Sequence, residues 1–246
     1  MSRFYLAPHK GQRNTGVMSS TNCAAASGAM LDNQATLGIH NPSVRWWRKQ
    51  TDDFSGGLRM EQVAAVLEER GIKVHLYDYR DNLKWWRLKQ YLAAGRFAVV
   101  AGDYDVLPPD LKGSLYDDFH AVVYHQLFKV NIRVGDPLME NWLKWPIDLA
   151  AEYVKKFDRQ TVGGLHACVM VPEFAHLRDG IIEAEVVSEP EKDADVLTTL
   201  KGKSRLVTGG NVKGDTVAGI NRWRKVWVPG KNSTIGYIPW SQTWVR

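Results

Sequence analysis

Cys23 stands where a polar stretch, Ser19-Ser-Thr-Asn22, gives way to small helix formers, Ala24 to Met30. That pattern places the thiol at or near a helix N-terminus, where unpaired amides and the helix dipole favour the thiolate. Taken alone, such a cysteine is more often a small core residue than a nucleophile. His120 lies at the entrance of an apolar run, Phe119-His-Ala-Val-Val-Tyr124, and Asp136 follows a second run, Ile132-Arg-Val-Gly135. Two antiparallel strands with a short connection bring the start of the first beside the end of the second. The imidazole and the carboxylate are therefore expected to meet at one rim of a sheet. Nucleophile, base and orienting acid together are the parts of a thiol hydrolase. His9, His40, His75, His125 and His166 show no metal-ligand spacing, so neither a metal nor another cofactor is expected.

The elements that must position these groups follow from periodicity. Met60, Val63, Ala64, Val66 and Leu67 line one face of a helix expected over Leu58–Gly71 and closed by Gly71. Ile72–Tyr79 reads as a strand, Asn82–Ala94 as a helix ended by Gly95, and Phe97–Ala101 as a buried strand. His120–Leu127 and Lys129–Val134 read as paired strands, Ile147–Phe157 as a helix after Pro146, and Leu165–Val171 as a strand. Early helices followed by later strands predict an α+β domain over residues 1–175. From Ile181 onward short β-like segments alternate with turn signals: Glu189-Pro, Lys201-Gly, Gly209-Gly-Asn, Lys213-Gly-Asp and Pro229-Gly-Lys. That texture predicts a small all-β barrel over 181–246.

Composition bounds the function. With 246 residues, 44% hydrophobic and 24% charged, the chain is expected to fold rather than stay disordered. No run approaches the length of a membrane-spanning helix, and no secretory signal peptide is expected from Met1-Ser-Arg-Phe-Tyr-Leu. Two cysteines cannot make a disulfide framework, which suits a reducing compartment. A net charge of +5 falls well short of a dedicated nucleic-acid binder, so neither nucleic acid nor membrane is expected as a partner. It does suit polyanionic surfaces, bacterial cell walls among them. Ten tryptophans are available for cores, interfaces or saccharide platforms. In the pairs Trp46-Trp47 and Trp85-Trp86 one ring is expected in the core and its neighbour beside the substrate.

The order of these features resembles the papain-like peptidases related to bacteriocin-leader-processing domains. The resemblance covers about residues 10–170 and is carried by Cys23 before its small-residue helix, Phe119-His-Ala-Val-Val, Gly135-Asp-Pro and Trp145-Pro. It implies Cys23 as nucleophile, His120 as general base and acid, and Asp136 as the orienting residue. The family usually carries an oxyanion-donating glutamine about six residues before the cysteine. Here that position is Val17, the nearest upstream glutamine is Gln12, and Ala24 follows the cysteine where glycine is common. Ser19 or Asn22 is therefore expected to donate to the oxyanion, and Trp47, Trp86 and Trp145 to contact substrate. The C-terminal segment resembles a bacterial Src-homology-3-like barrel through Val186-Val-Ser-Glu-Pro, Trp223-Arg-Lys-Val-Trp227 and Ile235-Gly-Tyr-Ile238. Such barrels commonly attach wall enzymes to peptidoglycan, which implies Trp223, Trp227 and Tyr237 as wall contacts; a barrel that merely packs against its own chain or a neighbouring subunit stays open. Together the resemblances imply a bacteriophage lysin or tail-associated hydrolase. It would cleave peptide bonds of peptidoglycan or its stem peptides, and would reside in the virion or host cytoplasm before acting at the wall. The alternative is a structural tail protein, in contact with other virion proteins, that uses the same fold for assembly or wall contact.

Overall fold

The structure is a computed structural model and describes residues 8–13, 21–51, 57–78, 81, 83–93, 96–113, 119–158, 165–171, 173–202, 205–228 and 234–245. The chain divides into two compact units, one of Pro8–Asp32 with Asn41–Val171, the other of Asn33–His40 with Pro172–Arg246.

Among the described residues, five α-helices precede or interrupt the strands of the first unit: α1 (Cys23–Ala35), whose last turn belongs to the second unit's Asn33–His40, α2 (Val44–Lys49), α3 (Met60–Glu69), α4 (Trp85–Ala93) and α5 (Ile147–Asp158). Helix α3 buries Val63, Ala64, Val66 and Leu67, the face that periodicity predicts. It ends at Gly71 with φ +77°, where the Ile72 amide reaches the Leu67 carbonyl at 2.9 Å and the Gly71 amide reaches Glu68 at 2.8 Å. A left-handed residue with these two bonds is the motif for which glycine carries no Cβ penalty. Gly95, expected to end α4, lies outside the described residues. Helix α2 escapes a reading by periodicity because six residues are too few for a period; Ser43 starts it, its hydroxyl accepting from the Trp46 amide at 3.1 Å.

The strands of this unit are β1 (Val74–Tyr77), β2 (Ala98–Asp103), β3 (Phe119–Leu127), β4 (Asn131–Gly135), β5 (Leu143–Pro146) and β6 (Ala167–Met170). They form one sheet in the order β1-β6-β2-β3-β4-β5, antiparallel throughout. Helices and an antiparallel sheet in this arrangement are α+β. Leu88 and Leu92 of α4 and Tyr153 and Val154 of α5 pack on Val100, Val122, Tyr124 and Val134. Each such fully buried side chain contributes roughly 1.5–3 kcal/mol relative to exposure.

Gly102 in β2 pairs with His120 in β3 and lies directly under the Tyr153 ring, leaving no room for a Cβ. The Tyr153 hydroxyl, brought in by that close approach, donates to the His120 carbonyl at 2.6 Å. Gly102→Ala is expected to destabilise the chain by about 1–3 kcal/mol, the usual cost of overpacking. A lowered urea midpoint at unchanged slope checks this.

The second unit's strands are β7 (Glu173–Leu177), β8 (Glu183–Val187), β9 (Val196–Lys201), β10 (Arg205–Val217), β11 (Ile220–Val228), β12 (Thr234–Pro239) and β13 (Thr243–Val245). They form one seven-stranded antiparallel sheet in the order β13-β7-β10-β11-β12-β8-β9 around Ala175, Val186, Leu206, Val226 and Ile238. Two of the expected turns are not turns. Gly209-Gly210 and Gly214 lie within the single long strand β10, at register shifts opposite β11. Glycine in a strand interior marks a bulge as readily as a turn, and composition does not separate the two. The hairpin reverses instead at Ala218-Gly219, with φ +51° and +77°, the two-residue form that needs both positions left-handed. Pro229-Gly-Lys lies outside the described residues.

Candidate active site

The Ala26 amide donates to the Asn22 carbonyl at 2.9 Å, so Asn22 caps α1 and Cys23 is its first helical residue. Ala24, Ala25, Ala26 and Ala29 are all but inaccessible, so α1 is embedded rather than lying on a surface. Its small side chains make that possible: a Cβ on Gly28 would sit 2.5 Å from the Trp47 ring. One turn below Cys23, on the same helical face, the Ser27 hydroxyl donates to the Ala121 carbonyl at 3.0 Å. That bond ties α1 to β3 at the residue next to His120.

His120 sits at the start of β3, and Asp136 immediately follows β4. His120 Nε2 donates to Asp136 Oδ1 at 2.8 Å, with both side chains essentially excluded from solvent. The chain turns sharply after Gly135, and the Leu138 amide donates to the same Oδ1 at 2.8 Å. With Nε2 committed to the carboxylate, Nδ1 is the ring nitrogen left for the Cys23 thiol, to which His120 is hydrogen-bonded. The tautomer is thus set from the Asp136 side, as the orienting residue of a triad requires.

Burial pushes the Cys23 thiol up, but the hydrogen bond and charge of His120, with the amides of Ala121 and Ala24, outweigh it and bring the thiol below its ordinary value. Burial pushes His120 down, yet its bonds to Asp136 and Cys23 prevail and raise it to about 9. Cys168, in β6, has no such partners: burial, reinforced by the Glu68 charge, drives it up to about 12. Of the two thiols, only Cys23 is both partly exposed and held below its ordinary value. The pair titrates as a unit, so activity is expected to rise as Cys23 loses its proton, below the ordinary thiol range, and to fall as His120 loses its own near pH 9. A bell-shaped pH profile of kcat/KM, with its alkaline limb near 9, checks this.

Other expected site residues fall elsewhere. Trp47 is fully buried against Gly28, and Trp145 is fully buried with its ring 5.1 Å from Tyr153, so both are core and unavailable to substrate. Trp223 is buried too, its indole N–H donating to the Asp215 carbonyl at 2.8 Å, which removes it as a wall contact. In each case an apolar surface this large gains more from core packing than a surface platform offers. Trp86 is 56% exposed beside the Arg87 guanidinium, and Tyr237 is half-buried beside Lys225. Ser19 and the side chain of Trp227 lie outside the described residues. Asn22 is fully buried at its cap.

Gln12 and Tyr104 are the residues that spacing missed. Gln12 is buried, and its backbone N–H donates to the Pro137 carbonyl at 3.0 Å, so it lies beside the Asp136 turn despite its distance from Cys23 in sequence. Tyr104 is fully buried and donates its hydroxyl to Asp136 Oδ2 at 2.8 Å. Asp103–Tyr104 could have been read as continuing β2 past the start of β3, which is the signal that would have placed the phenol here.

Among known proteins, no family model and no curated sequence matches this chain. It is similar in structure to a C39-like peptidase from Bacillus anthracis, at 13% identity and a TM-score of 0.49, over 69% of this chain and 96% of that one. It is also similar to a double glycine motif protease from an AMS/PCAT transporter, at 15% identity and TM-score 0.42, over 68% and 91%. A third is the peptidase domain of Streptococcus ComA, a bi-functional ABC transporter, at 12% identity and TM-score 0.40, over 68% and 96%. With these TM-scores below 0.5 the similarity assigns no activity to this chain.

Proposed function

We propose that the chain is a papain-like cysteine peptidase acting on the peptides of bacterial peptidoglycan, with a C-terminal wall-binding domain of Src-homology-3-like type, and that it is a bacteriophage product. The observation that carries the peptidase reading is the Cys23–His120–Asp136 arrangement: a thiol on a helix N-terminus, hydrogen-bonded to an imidazole whose far nitrogen is 2.8 Å from a buried carboxylate. Cys23 Sγ attacks the peptide carbonyl carbon and the C=O electron pair moves to oxygen. The oxyanion then collapses, the C–N bond breaks, and His120 gives its proton to the departing amine. Water, its proton taken by His120, attacks the thioester; the acid leaves and Cys23 returns to the thiolate. Gln12, buried beside Pro137, is the side chain proposed to donate to the oxyanion in place of the missing nearer glutamine. Gln12→Ala is then expected to lower kcat about 100- to 1000-fold with KM little changed.

The wall as substrate rests on charge and on rings at the surface. Residues 181–246 hold ten basic and seven acidic side chains, so +3 of the net +5 lies there, and Trp86 offers an exposed ring beside a guanidinium. The test is release of new amino groups from purified peptidoglycan by wild type and by Cys23→Ala. Loss of release in the variant supports the reading. Wall binding by both forms without release by either replaces it with a structural wall-contact role.

A further inference from the structure

Tyr104 begins a short 3-10 turn directly after β2. Because Gly102 pairs with His120 and Asp103 with Phe119, continuing β2 by one residue carries Tyr104 past the start of β3 and alongside the imidazole. Its ring meets the His120 ring edge-on, with centroids 4.8 Å apart. Its hydroxyl receives the Gly113 amide proton at 2.8 Å. An N–H cannot accept, so the phenol's single proton is directed the other way, onto Asp136 Oδ2 at 2.8 Å. Gly113 is itself fixed: its carbonyl accepts from the Arg13 guanidinium, and its Cα lies too close to the Leu138 backbone to admit a Cβ.

The Asp136 carboxylate is therefore held at both oxygens. Oδ1 accepts from His120 and from the Leu138 amide, and among the described residues Tyr104 is what holds Oδ2. Without that third bond the carboxylate can turn about Cβ–Cγ, and the His120 bond loses its fixed direction. We propose that Tyr104 is a positioning residue of this site, its hydroxyl, aimed by the Gly113 amide, locking the Asp136 carboxylate in the rotation that keeps Oδ1 on His120. This rests on the reading of Cys23 and His120 as a thiolate–imidazolium pair. Burial and the Asp136 charge hold the phenol well above its usual range, so it stays a donor at every pH where the pair is charged.

The groups that face this assembly are Cys23 on α1, Asp136 and His9 at the turn after β4, Tyr153 on α5 at the His120 carbonyl, and Arg13 at Gly113. Tyr104→Phe keeps the ring and removes the proton, leaving all of these in place.

The test is the rate of iodoacetamide alkylation of Cys23 in the intact chain as a function of pH, read on the Cys23 peptide by mass spectrometry. This needs no substrate. Wild type is expected to react at a pH below the ordinary thiol range. In Tyr104→Phe the midpoint is expected to rise by roughly one pH unit, because imidazolium held less firmly by Asp136 supports the thiolate less. The same variant is expected to lower kcat on peptidoglycan about tenfold with KM unchanged, and to move the alkaline limb down from about 9 by a similar amount. In the Asp136→Ala background Tyr104→Phe is expected to add nothing, whereas a purely structural role would cost the same in both backgrounds. Should Tyr104→Phe melt early, 4-fluorophenylalanine at position 104 fills the hydroxyl's volume without a proton to donate and carries the same comparison. Superimposable alkylation curves for wild type and variant overturn the role of Tyr104 while leaving the pair intact. An ordinary thiol midpoint in wild type overturns the thiolate–imidazolium pair itself.

Discussion

His120→Ala is expected to cost as much peptide-bond hydrolysis as Cys23→Ala, about 10⁶-fold in kcat, and the double variant is expected to cost no more than either. In the proposed reaction the two side chains perform one act. Without His120 the thiol keeps only the Ala121 and Ala24 amides against burial, the largest influence on it, which pushes it up. The leaving amine also loses its proton donor. Without Cys23 the imidazole has nothing to activate. What remains in any of the three variants is the rate supplied by substrate binding and oxyanion donors, about 10³–10⁴-fold over water. Measuring kcat for both single variants and the double on one wall preparation checks this; losses that multiply would show two independent contributions and end the reading of a single thiolate–imidazolium unit. Cys23→Ala is a small change, whereas His120→Ala removes one partner of the buried pair with Asp136 and is expected to cost stability of about 3–5 kcal/mol as well, so the urea midpoint of each variant is measured beside kcat. Cys23 is partly exposed at a helix end, and His120 keeps its backbone bond to Tyr153.

The juxtaposition of Cys23, His120 and Asp136 was legible because the three lie at the ends of regular elements. A polar-to-small transition marks Cys23 as the start of α1, and an alternating run with one polar residue at its entrance marks His120 on β3. A short connection then returns the chain to Asp136. Each is a local pattern, and antiparallel pairing converts sequence proximity into spatial proximity. What was not legible depends on contacts that local patterns do not encode. Trp47 and Trp145 carry no mark separating a core ring from a cleft ring; the decision lies in contacts with residues on other elements, Gly28 of α1 under Trp47 and Tyr153 of α5 against Trp145. Gln12 was discounted on its spacing to Cys23, yet it is held by Pro137, 125 residues further along the chain. Bulges at Gly209-Gly210 and near Gly214 read as turns, because a strand that kinks and a strand that ends use the same residue.

Asp136 separates geometry from charge, and two substitutions there are expected to behave differently. Asp136→Ala strands the Leu138 amide, the Tyr104 hydroxyl and His120 Nε2, all buried. Removing one partner of a buried hydrogen-bonded pair costs about 3–5 kcal/mol, and loss of the orienting acid about 10⁴-fold in turnover. Asp136→Asn keeps one acceptor, and its orientation is decided by the neighbours. If the amide nitrogen faced the Leu138 amide and Nε2, N–H would point at N–H; with the amide oxygen there instead, the nitrogen faces the Tyr104 hydroxyl, which accepts it beside the Gly113 amide only by turning its own proton away. The second arrangement leaves His120 in its working tautomer, so Asp136→Asn is expected to lose only about tenfold in kcat, the scale of one weakened hydrogen bond. Its neutral side chain no longer supports the imidazolium, and the sign follows. A base raised to about 9 partly by Asp136 must fall when that charge is removed, so the alkaline limb moves to lower pH. Urea midpoints, kcat and the alkaline limb of both variants decide the matter. A small loss for asparagine with a large one for alanine makes Asp136 chiefly a fixed acceptor, whereas equal losses would make its charge the essential property and Tyr104 a bystander.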